Sequence, residues 1–157
     1  MNIRKLGIND INVIINLRID YLLSERGPMT REEQDDVKQK MKAYINKWMP
    51  DGSFVVFIAE DNDNICSTAF LSVVERPPRV AFQSYLVGTV YNVFTFPNYR
   101  RKGIATKVLS ALLDEARIMG IGHIDLMSTN DGKYLYEKIG FQMNNYTPMR
   151  LTLKQYD

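Results

Sequence analysis

Cysteine and histidine are almost missing: among 157 residues, Cys66 and His123 are each alone of their type. A single thiol excludes an internal disulfide and a cysteine-rich metal site. A single imidazole leaves a histidine-based triad or zinc site without partners, so both residues read as structural and no metal is expected. Charge of one sign is missing too. The 20 Lys and Arg stand against 18 Asp and Glu, for a net charge of +2. Positive and negative residues are interspersed, which argues against nucleic acid and against an anionic membrane surface as partners. No apolar run approaches the ~20 residues of a membrane span. The opening Met1-Asn2-Ile3-Arg4-Lys5 leads into alternating polar and apolar residues instead of a signal-peptide core. A cytoplasmic protein is expected.

What is present is ordinary globular material, 45% hydrophobic and 24% charged. The length suits a single domain spanning 1–157, with enough core to need no covalent staple. Ile3 and Leu6 among charged residues predict a short first strand. Asn9 or Asp10 then caps a helix that carries Ile11, Ile14, Ile15 and Leu22 and stops at Gly27-Pro28. Thr30-x-x-Glu33 is a capping box, and the helix behind it aligns Val37, Met41, Tyr44, Ile45 and Trp48 before Pro50.

From Ser53 the periodicity changes. The apolar run 54–59, the turn Asp61-Asn62-Asp63-Asn64 and the run 65–74 predict an antiparallel hairpin. Arg76-Pro77-Pro78-Arg79 predicts an exposed loop, and 86–96 a further strand. Ala105, Val108, Leu109, Leu112, Leu113 and Ala116 mark an amphipathic helix ending near Gly120 or Gly122. A strand at 123–127 should join the preceding one in parallel by a right-handed crossover. A short helix at 131–139 ends at Gly140, and two last strands fall at 141–145 and 149–153. The order β-α-α-β-β-β-α-β-α-β-β predicts an α/β fold, a mixed sheet with helices on both faces.

The stretch Thr95-Phe96-Pro97-Asn98-Tyr99-Arg100-Arg101-Lys102-Gly103-Ile104-Ala105-Thr106 carries the chemistry. A strand ends, a basic loop follows and a helix begins near Gly103. The first N–H groups of a helix have no partner within it, and its dipole is positive there. An anion at that place meets several aimed donors. Gly103 removes a Cβ that would hold a phosphate away, and Arg100, Arg101 and Lys102 add charge suited to a diphosphate. Alone, Arg-x-x-Gly-x-Ala also fits an ordinary charged turn. The dinucleotide pattern Gly-x-Gly-x-x-Gly does not occur.

This segment resembles the Arg/Gln-x-x-Gly-x-Gly/Ala signature of the GNAT superfamily of N-acetyltransferases. Leu135-Tyr136-Glu137-Lys138-Ile139-Gly140-Phe141 is similar to a second segment of that family, at the expected distance. The resemblance covers essentially the whole chain. It implies a GNAT-like acyltransferase fold, with a V-shaped opening between the fourth and fifth strands for the pantetheine arm of acetyl-CoA. It implies that Arg100, Arg101, Lys102, Gly103, Ile104 and Ala105 hold the pyrophosphate, with Thr106 alongside. Phe94 and Thr95 would offer main-chain hydrogen bonds to pantetheine and the thioester. Tyr136 would protonate the departing thiolate. The implied acceptor is an amine of a small molecule or peptide, and a homodimer is in keeping with the family.

Two departures stand out. Many relatives carry a glutamate base on the fourth strand, where this chain has Asn92, which accepts no proton. Many carry an asparagine seven residues before the tyrosine, where this chain has Thr129, with Asn130 beside it as the candidate coenzyme contact. Glu25 and Glu75 are alternative bases that also read as surface carboxylates. Without a base, a coenzyme-binding sensor or interaction module is the competing function. The acceptor side is expected at 24–30 and 144–148.

Overall fold

A computed structural model describes residues 1–80 and 84–154. Two compact units result, Met1–Met127 and Ser128–Asp157. The first holds a five-stranded sheet whose spatial order follows the chain: β1 (Asn2–Leu6), β2 (Phe54–Asp61), β3 (Asn64–Glu75), β4 (Leu86–Thr95) and β5 (His123–Asp125). Its helices are α1 (Ile11–Arg26), α2 (Arg31–Trp48) and α3 (Ile104–Ile118). Neighbouring strands run antiparallel except β4 and β5, which the α3 crossover makes parallel. Among the described residues no helix is long and apolar enough to cross a membrane.

β2 is the centre of the core. Phe54 through Ala59 are all buried, which is why the run shows no polar alternation. Phe54, Val56 and Ile58 pack with Leu6, Ile14, Ile15, Leu17 and Ile45, the inward sides of β1, α1 and α2. Alternation puts Val55, Phe57 and Ala59 on the other face, where α3 packs with Val108, Leu109 and Leu112. Turn chemistry sets the register. Asn62 and Asp63 take φ of 48° and 62°, joining β2 and β3 by a two-residue turn whose twist suits a hairpin.

The capping box of α2 forms as expected: Thr30 Oγ1 accepts from the Glu33 N–H at 3.1 Å, and Glu33 Oε2 from the Thr30 N–H at 2.8 Å. Thr30→Ala deletes one half of this exchange and should cost about 1 kcal/mol, read as a lower urea midpoint at constant slope.

The C-terminal part departs from expectation. The second unit contains α4 (Asn130–Lys138), after which 139–154 is irregular. The two last strands, at 141–145 and 149–153, do not form. Alternating Met149, Leu151 and Leu153 favour an extended chain, but a strand exists only where a neighbour supplies ladder hydrogen bonds. No ladder joins the two segments among the described residues. Asn144 Oδ1 instead accepts from the Tyr146 N–H at 3.1 Å and bends the chain locally. β5 is also shorter than predicted, ending at Asp125.

Candidate functional site

The site begins with a defect in β4. Its pairing with β3 runs from Phe70↔Tyr91 to Thr68↔Phe94, so β4 spends one residue more than its partner. The bulge centres on Asn92, whose φ of 54° lies in the left-handed region that asparagine tolerates better than most residues. Asn92 is 2% exposed. Its Oδ1 accepts from an Arg18 guanidinium N–H at 3.2 Å, and its Nδ2 donates to the Leu17 carbonyl at 3.3 Å. The bulge is thereby tied to α1. Asn92→Ala should lower stability by about 2–4 kcal/mol, combining the loss of one buried and one partly buried hydrogen bond with left-handed strain. Asn92→Gly, which tolerates that φ, should lose about 1 kcal/mol less; equal losses in urea melts would remove strain from the account.

Beyond the bend, β4 has no strand partner on one side among the described residues. Its ladder with β5 is limited to Val87↔His123, Gly88↔Ile124 and Thr89↔Asp125. The strand continues to Thr95, so its last stretch presents a free edge toward β5. This is the divergence expected between the fourth and fifth strands. Such an edge can take an extended polar chain by main-chain hydrogen bonding.

Phe94 and Thr95 lie on that stretch. Ser67 Oγ donates to the Phe94 carbonyl at 3.0 Å and sits 2.8 Å from Thr95 Oγ1. Ser67 is fully buried, and sequence reasoning missed it. The available signal was a Ser-Thr pair inside an apolar strand. The Phe94 ring meets Phe96 edge-on at 4.9 Å and Tyr21 of α1 at 6.5 Å.

The basic loop turns through Pro97–Tyr99 and then Arg101 and Gly103, at φ of 60° and 71°, before α3 starts at Ile104. Ile104 is buried and anchors the helix start in the core. α2 and α4 are each capped by a threonine hydroxyl, whereas α3 has Gly103 at the cap position and no side-chain cap. Its first donors therefore await a partner. A Cβ placed on Gly103 meets no protein atom within 4 Å, so the space before the helix is open. Arg100, Arg101, Lys102, Gly103, Ile104, Ala105 and Thr106 are thus contiguous around one helix start, a few residues past Thr95.

Two of the cations brace the loop. Arg100 Nε donates to the Thr95 carbonyl at 2.9 Å with its guanidinium 5.9 Å from the Phe94 ring centre. Lys102 Nζ donates to the Asn98 carbonyl at 3.0 Å. Arg100 ties the basic turn to the end of β4, so loop and strand form one piece.

α1 supplies a polar strip beside the bulge. Arg18 lies over the Tyr21 ring at 5.5 Å. Burial raises the Tyr21 phenol above its usual pKa, and the hydrogen-bonded Glu25 carboxylate raises it further, against a lowering by Arg18. Burial also raises the Asp20 carboxyl. Of the two alternative bases, Glu25 lies near the end of α1 beside Tyr21, while Glu75 is exposed at the end of β3. Arg18 and Tyr21 were missed in sequence, although both fall on the stripe of Ile14 and Leu17.

The second unit holds the remaining candidates. Thr129 accepts from the Gly132 N–H and caps α4. Asn130 opens the helix and is exposed. The Tyr136 ring sits edge-on to Phe141 at 5.9 Å and lies against Gly132, where an added Cβ would come within 3.2 Å of its edge. Among the described residues no group of three His, Cys, Asp or Glu is placed to hold a metal ion.

Comparison with known proteins gives these features a context. The family described as acetyltransferase (GNAT) family matches residues 19–141. A predicted acetyltransferase from Clostridium acetobutylicum, solved with acetyl-CoA, is 30% identical over 97% of this chain and 96% of that one, with a TM-score of 0.84. A GCN5-related N-acetyltransferase from Ralstonia eutropha JMP134 shares the fold at 19% identity, over 96% of this chain and 97% of that one, with a TM-score of 0.77. Glucosamine-6-phosphate N-acetyltransferase from Arabidopsis thaliana does so at 24% identity, over 98% of each chain, with a TM-score of 0.66. No curated protein gives a significant match.

Proposed function

The chain belongs to the acetyltransferase (GNAT) family, and on that premise we propose that it transfers an acetyl group from acetyl-CoA to a primary amine of a small molecule or peptide. The observation that carries this reading is the juxtaposition of an uncapped α3 start with a β4 edge that β5 leaves free. The residues fit the coenzyme. N–H groups from Arg101 through Thr106 hold the pyrophosphate at the positive end of α3, and the open space before Gly103 receives it. The main chain at Phe94 and Thr95 holds the pantetheine arm and polarises the thioester carbonyl. Asn130 is a further contact.

When bound, acetyl-CoA supplies an acetyl group on a thiol leaving group. An N–C bond forms, the C–S bond breaks, the amine gives up a proton and the sulfur gains one. Tyr136 donates the proton to sulfur. Asn92 accepts none; it holds the bulge and α1 in register. A lysine-like amine has a pKa near 10.4, so presenting it neutral at pH 7 costs about 4–5 kcal/mol. A poorly hydrated pocket lowers that cost by disfavouring the ammonium form.

The doubly hydrogen-bonded Asn92, standing where the resemblance puts a glutamate base in many relatives, favours a second reading: a coenzyme-binding sensor with little turnover. Free-thiol release from acetyl-CoA across an amine panel separates the two. The enzyme reading expects release that depends on amine and an acetylated product; tight coenzyme binding without amine-dependent release establishes the sensor instead.

A further inference from the structure

Arg18 is a half-buried cation with no carboxylate partner among the described residues. It takes part in none of the ion pairs among the described residues; its contacts are the Asn92 amide oxygen and the Tyr21 ring. Asp20, two residues on, does not face it across the helix surface. Glu25, two turns on along α1, forms no ion pair with it. A guanidinium left without a counter-anion this close to the core is unusual, because cations removed from water are generally paired.

Its aim is fixed from both sides. The Asn92 side chain cannot turn freely, since its Nδ2 donates to the Leu17 carbonyl while its Oδ1 accepts from Arg18. The Tyr21 ring supports the guanidinium from beneath. One N–H goes to Asn92, and the planar fork retains other donors in the geometry that suits two oxygens of one anion. The place also matters. Asn92 lies on the part of β4 that β5 leaves unpaired, so Arg18 is held beside the free edge.

We infer that Arg18 binds an anionic group, a carboxylate or a phosphate, carried by the acceptor amine. This rests on the acetyltransferase reading and narrows its substrate class to amino acids, amino-sugar phosphates or other amines that bear an acid. The same arrangement disfavours acceptors whose only charges are positive. Asn92 is then a positioning residue: at the place of the family's base it holds the cation that orients the acceptor.

The test uses matched amines at saturating acetyl-CoA: ethanolamine with O-phosphoethanolamine, β-alaninamide with β-alanine, and glucosamine with glucosamine 6-phosphate. Wild type should prefer the acidic member of at least one pair by about 10- to 100-fold in kcat/KM, mostly through KM, as expected of hydrogen bonds to a charged group. Arg18→Gln keeps an N–H for Asn92 but removes the charge, and should bring that ratio toward unity. Arg18→Lys should restore part of it. Equal use of both members of every pair by wild type overturns the proposal. So does a loss in Arg18→Gln that falls equally on both members, the pattern of a purely structural arginine.

If no amine is acetylated, the transferase reading fails and the anion site is decided separately. Calorimetric titration of the CoA-loaded protein with the same acidic amines then supports the site if Arg18→Gln weakens binding about tenfold. Absence of binding, or unchanged affinity in Arg18→Gln, removes it.

Discussion

Gly103→Val is expected to weaken acetyl-CoA binding at least 100-fold while leaving a folded protein. The φ of 71° is one that β-branched residues adopt only with strain, about 1–2 kcal/mol. A Cβ there meets no protein atom within 4 Å, so the fold suffers that strain and no clash. The valine side chain enters the space before α3, whose N-cap supplies no side-chain hydrogen bond to the first N–H groups. A bound diphosphate loses close approach to those donors, and a 100-fold loss corresponds to about 2.7 kcal/mol. Calorimetry with acetyl-CoA reads the affinity, and a thermal melt reads the fold. Gly103→Ala, with one added carbon, should lie between. A folded Gly103→Val protein with wild-type affinity would place the diphosphate elsewhere.

Tyr136→Phe should slow acetyl transfer about 10²-fold, the lower end of general-acid effects, with little change in coenzyme affinity. Negative charge reaches the sulfur only as the C–S bond breaks, so a phenol that donates there acts on the transition state. Such a loss lowers kcat and kcat/KM together. The substitution keeps the ring against Gly132 and Phe141, so the melting temperature should hardly move. Product release can mask slow chemistry at steady state, which makes single-turnover acetylation the proper readout. A folded Tyr136→Phe variant at the wild-type single-turnover rate would reduce Tyr136 to a packing residue.

The features legible in sequence are those whose causes are local. Thr30 and Glu33 exchange hydrogen bonds three residues apart, and Asn62-Asp63 carries the φ preferences of its own turn. Gly103 announces an uncapped helix start because the missing side chain is itself the feature. The bulge at Asn92 was hidden because its partners, Arg18 and Leu17, are 74 and 75 residues away in the chain. Ser67 was hidden for the same reason, acting on a carbonyl 27 residues ahead. The last two predicted strands show the converse: alternation at 149–153 is a local property, whereas a ladder requires a partner that alternation cannot specify.

If the α3 start and the free edge of β4 form one acetyl-CoA site, both must respond to the coenzyme together. Amide chemical shifts recorded by NMR during an acetyl-CoA titration test it most directly. The largest changes should fall on the N–H groups of Arg101 through Thr106 and on those near Phe94 and Thr95, saturating together with one affinity. Saturation with those amides unmoved, and the changes gathered on other elements, would contradict it.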